Sequence, residues 1–257
     1  MQPSIQVSQR PEVQYLLRIG DTALLLAQRL GEWTGHAPVL EEDIALANMA
    51  LDLLGQARAV LTRAGALEGA GHDEDQLAFL REERDYRNAT LAELPRGDFA
   101  VTQLRNVIAS TFFKLLWQRL ADSSDAELAA IAGKAVKEAR YHQQHAADWL
   151  VRLAQGTDES RARVERALDA LWRFTAELFE ADAVDEQAQA LGLGPRWSDL
   201  RPAWDAEIGQ IFAAAGLPVP AATPFRSTGR QGVHSEHMGV LLAQMQHLQR
   251  AYPGGAW

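Results

Sequence analysis

The sequence predicts an all-α protein built on a long-helix antiparallel bundle of the ferritin-like kind, on three observations. No segment alternates apolar and polar residues in the two-residue rhythm of a strand bounded by hairpin turns. Apolar residues instead recur at spacings of three and four. Four predicted helices of about 23 residues or more fall before about residue 155, each on the order of 35 Å long at 1.5 Å per residue, and short connections fold such helices into an antiparallel bundle. The 257 residues, 47% of them hydrophobic, suffice for a sizeable core. We expect one helical domain over 1–257, with a core bundle at about 11–155 and a C-terminal helical extension at about 158–257.

The elements follow in order. Pro11 suits a first helical turn, and Val13, Leu16, Leu17, Gly20, Leu24, Ala27 and Gly31 trace one face of a helix to about residue 35. HAPVL makes a tight connection, and Glu41, Glu42 and Asp43 place negative charge at the next helix N-terminus. The run IALANMALDLLGQARAVL that follows is apolar on nearly every side, the pattern of a helix buried over most of its surface. Gly65, Gly69 and Gly71 mark a loop, after which Asp75 or a neighbour caps a charged helix, LAFLREERDYRNATLAEL, that stops at Pro95. Its charges read as a solvated or partner-facing side.

An aromatic-rich helix over about 99–121 comes next, then a cap and turn at Asp122 to Asp125, then a helix over about 126–154. One further long helix is expected over about 159–190, a bend at Gly192 to Pro195, a shorter helix over about 200–216, a loop LPVPAATPFRST, and a last helix over about 233–251.

Composition closes several functions. The chain has 34 acidic and 25 basic residues, a formal charge of −9, seven His and no Cys. It therefore has no disulfide, thiolate zinc site, iron–sulfur cluster or Cys nucleophile, and it lacks the basic footprint of a nucleic-acid binder. The N-terminal MQPSIQVSQRPEVQ has no signal-peptide pattern, and the most apolar run, 44–54, is interrupted by Asn48 and Asp52 and is short for a bilayer span. A cytoplasmic protein without membrane or nucleic-acid partners is expected. No GxSxG elbow, P-loop or GxGxxG fingerprint occurs.

A long-helix bundle invites the question of a di-iron centre, which needs a Glu from each of two helices and a Glu-x-x-His from each of the other two. None of the 34 acids is followed three positions later by His. The first helix offers Asp21; the second offers Asp52, but Gly55 lies three residues on; the helix at about 99–121 has no acid at all. Glu138 is followed at that distance by Tyr141, and His142 stands about 100° further round the helix. Asp21, Asp52, Glu138 and His142 are thus at most the remnants of such a site. The commoner role for Asp52 is an acid satisfied by a neighbour such as Arg58, and for Glu138 with His142 an i, i+4 hydrogen-bonded pair. His142 with His145, and His234 with His237, have a zinc-compatible i, i+3 spacing but no third ligand, which reads as surface or interface histidines.

The stretches GHAPVLEEDIALANMALDLLGQAR (35–58), LAFLREERDYRN (77–88), KEARYH (137–142) and GRQGVHSEHMGVLLAQMQHLQRAYPG (229–254) resemble the PaaC-type structural subunits of bacterial phenylacetyl-CoA epoxidase. The resemblance spans nearly the whole chain, and its first and last blocks are specific to that family. It implies a ferritin-like fold and membership of a multicomponent monooxygenase that uses dioxygen and electrons from a separate reductase to epoxidise the ring of phenylacetyl-CoA. It also implies that a homologous subunit holds the di-iron centre while the PaaC-type subunit, with no cofactor of its own, pairs with it. In that alignment of roles, Glu138 stands where catalytic relatives carry the Glu of Glu-x-x-His, with Tyr141 in place of the His.

Two functions of different class remain open on sequence: a non-catalytic scaffold for the di-iron subunit, and an oxidase or monooxygenase with a degenerate metal site of its own. A ferritin-type iron store lacks the same ligands. The scaffold requires a large helical interface, well over about 2,000 Å². Trp33, Trp117, Trp149 and the segment bearing Arg81, Arg84, Tyr86 and Arg87 are candidates for it, since aromatics and Arg are enriched at interfaces; core packing is the alternative for the Trp residues.

Overall fold

The computed structural model describes residues 2–255. Two helical hairpins form its centre. In the first, α1 (Pro11–Gly31) and α2 (Leu40–Glu68) pack along their lengths; in the second, α5 (Phe99–Leu120) and α6 (Ala126–Ala154) do the same. The expected signals set the ends. Pro11 opens α1, Asp98 caps α5 by accepting from Val101 N at 3.0 Å, and Asp125 caps α6 through Glu127 N and Leu128 N. Alongside α2, α6 runs antiparallel, since Asp52, Gln56 and Arg63 meet His142, Glu138 and Asp125 in turn. Among the described residues there is no strand, only a single bridge between Thr228 and Val233, so the ferritin-like helical bundle stands as expected.

Around the bundle, α7 (Asp158–Leu171) and α9 (Arg201–Ala215) cover the α5/α6 hairpin, α8 (Ala183–Ala190) lies against α1, and α10 (Glu236–Ala251) packs on the short α3 (Glu74–Phe79) and α4 (Thr90–Glu93).

Two expected helices are broken. The charged segment at 75–95 forms α3, capped by an Asp73 and Gln76 capping box, then a 3₁₀ turn (Glu83–Asp85), extended chain and α4. The cause is Arg81, which is fully buried and forked onto Asp21 of α1, while Arg87 N donates to Asp21 Oδ2 at 2.8 Å; a continuous helix cannot deliver both groups to one carboxylate. The segment expected as one helix at 159–190 ends at Leu171 and becomes two 3₁₀ turns before α8. There Glu177 is buried, accepting from Thr90 N and Arg230 N at 2.9 Å each and from the Ser227 hydroxyl at 2.6 Å. Asp182 caps α8 and pairs with Arg18 of α1 at 2.8 Å.

The burial of the first two helices is the reverse of that expected. α1 is enclosed on nearly every side, polar residues included: Gln14, Arg18, Asp21 and Thr22 are buried because loop and helix partners reach them. α2, whose 44–61 stretch is apolar on nearly every side, buries only one face. Leu40 (72% exposed), Ile44 (54%), Leu51 (64%) and Leu54 (42%) stand open on the other. By length and composition α2 is also apolar enough to cross a membrane, with a best-window mean hydropathy of 1.3, yet its Asp52, Gln56 and Arg63 tie it to α6.

Candidate functional site

The centre of the bundle is where a carboxylate-bridged metal pair sits in proteins of this architecture. Here it holds a small cavity lined mainly by Leu26, Leu30, Met49, Leu53, Ala109 and Phe113, with Gln56, Asn106, Ser110 and His142 as its polar contributions. Gln56 is spent within the bundle: it donates to Glu138 at 2.9 Å and accepts from the Trp117 indole at 3.2 Å. Ser110 donates to the Asn106 carbonyl one turn back. No ligand-grade side chain comes from α1 or α5.

The four candidate remnants do not converge. Asp21 lies outside this cavity and, besides Arg87 N, is engaged by both terminal nitrogens of Arg81. Asp52 meets His142 Nε2 at 3.0 Å and not Arg58, which pairs with Glu74 at 2.9 Å. Glu138 is held by Gln56 and, at 3.4 Å, by Lys134, so the expected Glu138 to His142 hydrogen bond is replaced by bonds from each to α2. The reason is register: α6 presents both residues toward α2, where Asp52 and Gln56, also four apart, stand opposite. Tyr141 points outward, 54% exposed.

A second carboxylate and imidazole pair, Glu42 and His145, lies 3.0 Å apart but without hydrogen-bond alignment. Glu42 and Asp52 are ten residues, about 15 Å, apart on α2, so the two pairs cannot share a metal pair. Among the described residues no three of His, Cys, Asp and Glu group as a metal ion requires. The donor set does not fit a di-iron centre. Burial holds the His142 imidazole below the ordinary histidine range against the pull of Asp52, keeping it neutral at pH 7.

The other histidine pair is likewise no site. His234, expected at a surface or an interface, has its side chain enclosed within this chain, because α10 docks over α4 and carries it onto Glu93. Its Nδ1 meets Glu93 Oε2 at 2.6 Å and its Nε2 the Tyr86 carbonyl at 3.3 Å. Two acceptors require two N–H donors, which is the imidazolium. Burial opposes that charge, but the hydrogen bond and charge of Glu93 outweigh it and raise the His234 pKa. Burial likewise opposes charge on Glu93, yet His234, Ser235 N and Asn88 hold its pKa low. The raised histidine stabilises the fold fully below its unfolded value of about 6.5 and loses that contribution as pH rises through the folded value; the depressed Glu93 contributes above about 4.5 and fails as pH falls through its folded value. The pair is therefore worth most between about pH 4.5 and 6.5. In an NMR pH titration, His234 is expected to titrate above about 6.5 and His142 below it; the reverse order contradicts these contacts.

Of the candidate contact residues, Arg81, Tyr86 and Trp117 are fully buried and belong to the core of this chain, not to a docking surface. Tyr86 stacks under the Arg81 guanidinium at 4.2 Å, and burial pushes its hydroxyl up to about 12. Trp33 is 6% exposed and donates to Thr102 at 2.9 Å. Trp149 is half-buried edge-on against Phe99, and Arg87 is half-buried, donating to Gln14. Arg84 alone of that set is exposed. An exposed apolar face lies elsewhere, on the outer side of α2. Leu40, Ile44, Leu51 and Leu54 stand at spacings of four, seven and three, a single stripe on a helix. Contiguous exposed apolar stripes of this kind mark interaction surfaces. The antiparallel neighbour α6 exposes Lys134, Lys137 and Arg140, and α2 exposes Arg58, of which Lys134 pairs with Glu138 and Arg58 with Glu74.

Known proteins resemble this sequence over nearly its whole length. The profile of the family described as "Phenylacetic acid catabolic protein" matches residues 1–257. The chain is 50% identical over 243 residues to one of the subunits of the 1,2-phenylacetyl-CoA epoxidase of Escherichia coli (strain K12), covering 95% of this chain and 98% of that protein.

Proposed function

The chain belongs to the phenylacetic acid catabolic protein family, and we propose that it is the structural subunit of a multicomponent phenylacetyl-CoA epoxidase, pairing with and stabilising a homologous ferritin-like di-iron subunit in the cytoplasm. In this reading the iron, the dioxygen chemistry and the entry of electrons from a reductase belong to the other subunits. The observation that carries it is the half-exposed α2. A 29-residue helix whose 44–61 stretch is apolar on nearly every side, but covered on one face only, has a second face suited to another helix. A partner of the same long-helix architecture can lay a helix along the whole stripe, with acidic groups meeting Arg58, Lys134, Lys137 and Arg140 at its rim. The bundle centre supports the same division, since its inner positions are filled by apolar side chains and by Gln56, Asn106, Ser110 and a single imidazole, His142, already paired with Asp52.

The alternative is an oxidase using a degenerate site built on Asp52, Glu138 and His142. Ferrous loading of the purified chain separates the two. We expect less than stoichiometric iron, unchanged by Glu138→Ala or His142→Ala. Stoichiometric iron that Glu138→Ala removes would favour the alternative.

A further inference from the structure

One cleft differs in chemistry from the rest of this acidic chain. It lies where the 3₁₀ turns after α7 meet the start of α9 and the loop at 217–228, and it encloses about 250 Å³, room for a small polar molecule rather than a drug-sized one. Arg173, Arg201 and Arg226 line it against one carboxylate, Asp205. That local positive surplus sits in a chain of formal charge −9.

Two of the guanidiniums lie over aromatic rings. Arg173 lies 3.9 Å from the Phe225 ring centre and 5.2 Å from that of Phe174; Arg201 lies 5.0 Å from Phe179 and 5.9 Å from Trp204. Stacking occupies the flat face of a guanidinium and leaves the N–H groups at its edge available. Among the described residues Arg173 has no carboxylate partner, so its whole fork is uncommitted. Arg201 spends only Nε, on the two Asp205 oxygens at 2.7 and 2.9 Å. Arg226 pairs through Nε with Glu180 at 2.6 Å and through Nη1 with the Thr223 and Phe225 carbonyls, leaving Nη2. The charged groups of the cleft therefore offer donors, and its one carboxylate is already bound. Val219 and Pro220 supply an apolar wall.

We propose that this cleft binds a small organic phosphate, with the anionic oxygens in the forks of Arg173 and Arg201 and an apolar portion along Val219 and Pro220. One arginine fork satisfies a carboxylate, whereas several guanidiniums lining one cleft suit an ion with three or more acceptor oxygens and up to two charges. The site stands apart from the α2 surface and does not depend on the role proposed for it.

The full-length chain is to be titrated calorimetrically with adenosine 5′-monophosphate and, separately, with inorganic pyrophosphate. Saturable binding of the nucleotide is expected, weaker at higher salt, with Arg173→Gln and Arg201→Gln each reducing affinity about tenfold and Arg119→Gln, an exposed arginine at the end of α5, leaving it unchanged. Pyrophosphate is expected to bind more weakly, lacking the apolar contact. Thermal unfolding of each variant confirms that it is folded. Absence of saturable nucleotide binding, binding that neither Arg173→Gln nor Arg201→Gln weakens, or an equal loss in Arg119→Gln overturns the proposal.

Discussion

Asp21→Ala is expected to destabilise the fold by about 3–5 kcal/mol, the cost of leaving a buried guanidinium without its counter-charge. Arg81 and Asp21 are both fully buried, and the aspartate accepts from both terminal nitrogens of the arginine. The damage extends beyond the pair. Arg87 N also donates to Asp21, and the Arg81 carbonyl accepts from Gln246 at 3.1 Å and Arg250 at 2.9 Å, so the same junction fixes the segment after α3 and the far end of α10. For a chain of this size the loss corresponds to a melting temperature about 10 °C lower. The double variant Asp21→Leu, Arg81→Met, which removes both charges, is expected to recover much of the loss, because buried ion pairs are weak against apolar packing of similar volume. Urea unfolding of the three proteins decides it. A single-variant cost below about 1 kcal/mol, typical of exposed pairs, would mean that water reaches the pair.

Leu51→Arg is expected to act in the opposite place: on assembly and not on folding. Leu51 is 64% exposed, so its replacement should change the stability of the isolated chain by about 0.5 kcal/mol or less. At the centre of a helix-to-helix interface the same charge is desolvated without a partner, costing about 3 kcal/mol or more, roughly a hundredfold in the affinity for the proposed di-iron partner. Sedimentation of the mixed subunits measures this, with Lys137→Glu as a rim substitution expected to slow association and alter its salt dependence more than it weakens the complex. Full retention of the complex by Leu51→Arg would move the interface away from α2.

Local signals carried much of this architecture. Pro11, Asp98 and Asp125 mark helix starts because capping is decided by a few adjacent residues, and the lack of any acid three residues before a His is legible without coordinates. The broken helices were not legible, because what breaks them is distant: Arg81 answers to Asp21, sixty residues away, and Glu177 to Thr90, Ser227 and Arg230. A charge run such as LREERDYR reads as solvated until those partners are known. The inversion of α1 and α2 has a different cause. Composition reports that a helix will be buried, but not by which chain; α1 is buried by its own protein, whereas α2 keeps an apolar face that the isolated chain does not cover. The polar residues of α1 misled in the other direction, since Arg18 and Asp21 look like solvent positions and are enclosed with their counter-charges.

The most direct test of the structural role is turnover by the assembled epoxidase with Asp52→Asn, Glu138→Gln and His142→Gln introduced together in this chain. With assembly verified by sedimentation, a purely structural role predicts phenylacetyl-CoA epoxidation within about twofold of the unsubstituted complex, because groups that take no part in the transition state leave kcat and kcat/KM unchanged. A loss of about a hundredfold or more in an intact complex, the size expected when an acid, base or ligand is removed, would place chemistry in this chain and contradict that role.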